Sequence, residues 1–111
     1  ALGTRAIFTE RVDGKMTFRR GFSLRAGERV LIVEDIVTTG GSIKEVIEVV
    51  KEAGAVPVAI SMLVDRSGGK ARFGDVPATA LLTMDVETYA PESCPLCAKS
   101  VPMTKRGRTG K

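Results

Sequence analysis

Two adjacent carboxylates, Glu34 and Asp35, lie three to four residues ahead of a run of small residues, Thr38-Thr39-Gly40-Gly41-Ser42, three of which carry hydroxyls. No other stretch of the chain specifies chemistry as sharply. Without bulky side chains, the backbone N–H groups of Thr38 to Ser42 can close on an anion, and the hydroxyls of Thr38, Thr39 and Ser42 add donors. Carboxylates this near a bound phosphate would repel it unless they face something else, such as sugar hydroxyls or a hydrated divalent cation. A ribose bearing a 5-phosphate satisfies both halves of the stretch.

The flanking residues supply the elements that must position these groups. Val30-Leu-Ile-Val33 is a run of consecutive apolar residues that reads as a buried strand. The acids stand where that strand is expected to leave the sheet, and Ile36 and Val37 link them to the turn. Ile43, Val46, Ile47 and Val50 recur at helical spacing, so a helix is expected over residues 43–53, closed by Gly54. Ser42, three residues before Glu45, matches a capping box and would start the helix right after the turn. Unpaired amides and the helix dipole then favour a dianionic phosphate at that end. A Walker loop is excluded by the missing Gly-Lys-Ser/Thr, and a dinucleotide fingerprint by the missing G-x-G-x-x-G.

The rest of the chain reads as an α/β domain, and 111 residues fit a single core. Residues 5–11 and 15–22 are expected to be two strands joined at Asp13-Gly14, a pair that tolerates positive φ. Residues 56–64 form a second β-rich run after the helix, which makes a right-handed β-α-β crossover with parallel strands. Residues 78–84 add another strand, and Ser67-Gly68-Gly69 reads as a loop. No apolar run is long enough to span a bilayer, and no basic, apolar leader suggests secretion.

The net charge of +4 is segmental. Residues 1–29 hold seven basic and three acidic side chains, residues 30–90 five and nine, and residues 91–111 five and one. The basic run from Lys105 to Lys111 lacks aromatic interleaving for base stacking, so a solvated end is expected there rather than a nucleic-acid contact. Cys94 and Cys97 form one CxxC in a chain without histidine, too few ligands to close a zinc site alone. A site shared across a dimer stays open, reduced thiols are the expectation, and a redox pair is disfavoured without thioredoxin-like elements around it.

The stretch from Val30 to Ser42 resembles the phosphoribosyl pyrophosphate motif of the type I phosphoribosyltransferases. Arg5-Ala-Ile-Phe-Thr-Glu-Arg11, Gly14-Lys-Met-Thr-Phe-Arg-Arg-Gly21 and Cys94-Pro-Leu-Cys-Ala-Lys99 are similar to the shorter-looped, orotate-using members of that family. The resemblance covers nearly the whole chain. It implies an α/β, type I phosphoribosyltransferase-like core, with a mainly parallel sheet flanked by helices and an added β-hairpin. One core domain is expected over residues 1–111, with a partly disordered basic tail over 91–111. Family members usually carry a further segment ahead of this core, so the chain reads as part of a longer one.

The implied activity is transfer of a phosphoribosyl group from phosphoribosyl pyrophosphate to orotate, giving orotidine 5'-monophosphate and pyrophosphate. By the same resemblance, magnesium is held through substrate and water rather than directly, and the protein is a cytoplasmic homodimer that shares a loop across its interface. Glu34 and Asp35 would serve catalysis by holding the ribose, with Arg11 and Lys15 as loop cations. Ile36, Val37, Thr38, Thr39, Gly40, Gly41 and Ser42 would join the acids in holding phosphoribosyl pyrophosphate, while Thr38 and Arg66 border the orotate. Arg66 ends the second strand of the crossover, at the sheet edge where ligands of parallel sheets bind, and its guanidinium matches a planar carboxylate. The blander alternative is a solvent-facing Arg66 paired with Asp65. Arg5, Arg19, Arg20 and Arg25 read as exposed strand-edge charges. Two rivals remain: a purine or uracil phosphoribosyltransferase, and a non-catalytic phosphoribosyl pyrophosphate sensor that binds nucleic acid through the basic tail.

Overall fold

The longest strands form over the apolar, β-branched runs after Arg29 and after Ala55. In a computed structural model that describes residues 2–103, β1 (Thr9–Val12) and β2 (Lys15–Phe18) make an antiparallel hairpin. Next, β3 (Arg29–Val37), β4 (Val56–Asp65) and β5 (Ala78–Thr83) make a parallel sheet in that order. The helix α1 (Gly41–Glu52) carries the chain back between β3 and β4, which is what makes their pairing parallel. A 3-10 turn (Pro91–Ser93) and one helical turn, α2 (Pro95–Ala98), follow β5. The run from Lys105 to Lys111 lies outside the described residues.

The hairpin turns where expected but its strands are shorter. Val12 pairs with Lys15, leaving Asp13 and Gly14 at φ 49° and 80°, the two left-handed positions a tight hairpin needs. Residues 5–8 and 19–22 leave the ladder, because Arg20 and Gly21 turn at φ 61° and 75°. Phe8 and Phe22 then meet edge to face at 5.1 Å, with Arg20 over the Phe8 ring. Arg20 also pairs with Glu10 at 3.0 Å, and Arg5 with Glu28 at 2.8 Å. These arginines are therefore paired turn and loop residues rather than charges along a strand edge.

Two local expectations need correcting. β3 does not end before the acids but pairs with β4 as far as Val37, so Glu34 and Asp35 are strand residues. The helix starts at Gly41, and its N-cap is Gly40 in the left-handed region, with no side-chain capping bond. Ser42 consequently falls inside the first turn, and the Ser42–Glu45 capping box does not form. Glu45 instead pairs with Arg11 at 2.9 Å. The other end closes as expected: Gly54 N–H donates to the Lys51 carbonyl at 2.9 Å and Ala55 N–H to that of Val50 at 3.1 Å.

One face of the sheet is packed and the other is open. Ile32, Val37, Ile60 and Met62 meet Ile43 and Ile47 of α1, and Phe73 and Val76 from the loop after β4 complete the cluster. The pleat sends Leu31, Val33, Leu63 and Leu81 to the opposite side, where Val33 is 70% and Leu81 83% exposed. No helix among the described residues is long and apolar enough to cross a membrane.

Candidate functional site

The C-terminal end of β3 leads directly into the N-terminus of α1, and this junction shapes a cleft of about 130 Å³ lined by Glu34, Ile36, Val37 and Thr38 through Ile43. Helix α1 begins with neither a side-chain cap nor an acidic residue in its first turn. Its positive end and free amides therefore face the cleft without internal competition. Gly41 N–H makes one long bond to Thr39 Oγ1, at 3.4 Å. Gly40 is required for a second reason besides its φ of 83°. A Cβ there would stand 2.8 Å from Cε1 of Phe73, which is buried directly beneath the turn.

The two acids share one groove and only one of them reaches the cleft. Glu34 lines the cleft, and both Glu34 and Asp35 border a groove with Val33, Ser61 and Leu63. They remain bonded: Asp35 N–H donates to Glu34 Oε1 at 3.0 Å, and Ile36 N–H to Asp35 Oδ1 at 2.7 Å. Partial burial, followed by the hydrogen bond to the Asp35 carboxyl, pushes Glu34 above the usual glutamate range. The Ile36 N–H, followed by Glu34, holds Asp35 below the usual aspartate range. The pair therefore takes its first proton on Glu34.

A second groove, of about 320 Å³, adjoins the first and shares Thr38 and Thr39 with it. Arg66, Lys70 and Asp85 stand on its walls, so Thr38 and Arg66 line one groove. Arg66 is not paired with Asp65. The Asp65 carboxylate is buried and accepts the N–H and hydroxyl of Ser67 at 2.8 and 2.6 Å. Lys70 and Asp85, which pair at 3.5 Å, have no signature in the sequence; they arrive together because Ser67 bridges back to Asp85. Phe73 and Val76 were also missed, although two apolar residues isolated in a polar, Gly-containing loop are a readable hint of a buried anchor.

Arg11 and Lys15 line neither groove. The Arg11 guanidinium donates to the Gly14 carbonyl at 2.7 Å, and its hydrogen bond to Glu45 raises its pKa further. Cys97 N–H donates to Cys94 Sγ at 3.5 Å, so this CxxC caps α2, and both thiols are free. Among the described residues no group of three or more His, Cys, Asp or Glu gathers as a metal site.

A sequence model of the phosphoribosyl transferase domain matches residues 4–78. The orotate phosphoribosyltransferase of Desulforamulus reducens is 58% identical over 107 residues, covering 96% of this chain and 56% of that one. That of Thermotoga maritima is 52% identical over 109 residues, covering 98% and 58%. The chain thus spans a little over half the length of the curated relatives it matches. Among solved structures, adenine phosphoribosyltransferase from Thermoanaerobacter pseudethanolicus superposes with a TM-score of 0.57 at 20% identity, covering 75% of this chain and 52% of that one. The Saccharomyces cerevisiae adenine phosphoribosyltransferase gives 0.55 at 24% identity, covering 74% and 48%. At such identities the likeness bears on the fold alone.

Proposed function

The chain belongs to the phosphoribosyl transferase family, and from that premise we propose that it carries the phosphoribosyl pyrophosphate and orotate subsites of an orotate phosphoribosyltransferase. The observation that carries this reading is the pair of adjoining clefts with Thr38 and Thr39 between them, one ending on the bare N-terminus of α1 and the other walled by Arg66. The relatives' names point to orotate. Groove chemistry supports it, because Arg66, which makes no ion pair among the described residues, suits a base that bears a carboxylate better than a neutral purine or uracil, while Lys70 is already paired with Asp85.

In this reading the amides and hydroxyls of Thr38 to Ser42 hold the 5-phosphate, Glu34 and Asp35 take the ribose hydroxyls, and Arg66 orients the base. Displacement at the anomeric carbon passes through a cation-like ribosyl centre, so the chain's contribution is positioning and electrostatics rather than a covalent step. Two adjacent carboxylates suit an ion that keeps most of its waters and arrives on substrate phosphates, as magnesium does. Bound in that way, magnesium would offset the charge of the departing pyrophosphate. Arg11 and Lys15 are the proposed loop cations, and Arg11 would have to exchange its Glu45 partner for pyrophosphate. A homodimer lending this loop between subunits, working in the cytoplasm, completes the proposal.

Calorimetric titration with ribose 5-phosphate and with orotidine 5'-monophosphate tests the two subsites separately. Arg66→Ala is expected to weaken the nucleotide by about tenfold or more, the loss typical of a charged hydrogen bond, and to leave ribose 5-phosphate unchanged. Equal loss for both ligands would remove Arg66 from the base subsite. A panel of bases assayed with phosphoribosyl pyrophosphate separates orotate from the purine and uracil rivals.

A further inference from the structure

Asp65 is the buried charged side chain among the described residues, at 8% exposure, and the chemistry proposed above makes no use of it. It does not line the base groove, and its carboxylate is bonded into the 66–71 loop. There Oδ1 accepts the Ser67 N–H and hydroxyl at 2.8 and 2.6 Å. Ser67 passes the arrangement on, since its Oγ accepts the N–H groups of Lys70 at 3.0 Å and Ala71 at 2.9 Å. One carboxylate and one hydroxyl thus gather backbone donors along the loop and turn them inward. The loop's outer side is left to present Arg66 and Lys70 to the groove.

The start of this segment is tied to the sheet twice. Arg66 N–H donates to the Val37 carbonyl at 2.7 Å, immediately before Thr38, and Met84 N–H donates to the Asp65 carbonyl at 2.8 Å. The Arg66 backbone is therefore fixed, while its guanidinium makes no ion pair or hydrogen bond among the described residues and stays available. A negative charge close to an anion site would ordinarily weaken anion binding; here the N–H and hydroxyl of Ser67 occupy it.

We infer that Asp65 and Ser67 are positioning residues, holding the 66–71 loop so that Arg66 meets the base at the distance set by Thr38. This rests on the reading of the Arg66 groove as the orotate subsite. The test is a double-mutant cycle on the protein, read by calorimetry with orotidine 5'-monophosphate and with ribose 5-phosphate as probes. Ser67→Ala removes the relay with little change in volume. It is expected to weaken the nucleotide by about tenfold and to leave ribose 5-phosphate unaffected, and Ser67→Thr, which keeps a hydroxyl, should restore the affinity. Asp65→Asn should act in the same direction. Combined with Arg66→Ala, Ser67→Ala should add no further loss, because its effect runs through the arginine. Additive losses, or equal loss of both ligands, would overturn the inference while leaving the base subsite standing. An Arg66→Ala variant that binds the nucleotide normally would instead remove the subsite reading, and the positioning role with it.

Discussion

Glutamine in place of Glu34, or asparagine in place of Asp35, is expected to lower turnover with orotate by about 10²-fold or more while the thermal midpoint barely moves. Each substitution keeps shape and removes charge. Glu34 lines the cleft that would hold the ribose, and Asp35 is bonded to it through its own N–H, so removing either charge alters the field at the same sugar. Neither side chain belongs to the packed cluster under α1, which is why folding should be spared. The pH dependence has a definite sign. Glu34 lies above its ordinary range and Asp35 below, so as pH falls Glu34 is neutralised first and ribose binding weakens while Asp35 is still charged. For folding the two oppose each other. The raised Glu34 contributes stability that is full below its unfolded pKa and lost as pH rises through the folded one, whereas the lowered Asp35 contributes stability above its unfolded pKa that is lost as pH falls through the folded one. Pyrophosphate release measured across pH, beside unfolding scans, checks both claims. Full turnover in either folded variant would remove that acid from the site.

Among the described glycines, Gly40→Ala should be the most damaging substitution. At φ 83° an L residue is strained by roughly 1–2 kcal/mol, and the new Cβ would stand 2.8 Å from Phe73 Cε1, a buried ring with little room to yield. Overpacking of that kind adds about 1–3 kcal/mol. The sum corresponds to a fall in thermal midpoint of roughly ten degrees or more for a domain of this size, and ribose 5-phosphate affinity should fall with it because the turn is the cradle. Adding Phe73→Leu relieves the overlap but not the φ strain, so part of the stability should return. A Gly40→Ala midpoint equal to the parent's would show that the turn is not held as described.

The residues that announced the fold were those whose local pattern and tertiary role agree. The Ile43–Val46–Ile47–Val50 stripe, the closing Gly54 and the Asp13-Gly14 turn each behave as their spacing demands, whereas Val30 to Val33 forms the expected strand but buries only Ile32, leaving Leu31 and Val33 on the open face. The capping box failed because Ser42 and Glu45 match a local rule that Gly40 overrides: a left-handed glycine starts the helix early and leaves its amides bare. In the site, the cradle was readable because it is contiguous. Lys70, Asp85 and the Asp65–Ser67 arrangement were not, since they depend on how the loop after β4 folds back, and Arg11 finds Glu45 across 34 positions of sequence. That contact too is tertiary, and no local pattern encodes it.

The hairpin and the parallel sheet share no backbone hydrogen bond among the described residues. What joins them is the exposed Arg11–Glu45 pair and the side chains of Met16 and Phe18, which face Ile43, Val46 and Val50 across a cavity of about 300 Å³. Opening that seam breaks no ladder. Once the hairpin is free of the sheet, only its own short ladder has to open for the amide protons of β1 and β2 to exchange, a local excursion far below the global unfolding free energy, while those of β4, held between two strands, wait for the whole sheet to come apart. Added salt screens Arg11 from Glu45 and hastens exchange in the first set while leaving the second unchanged.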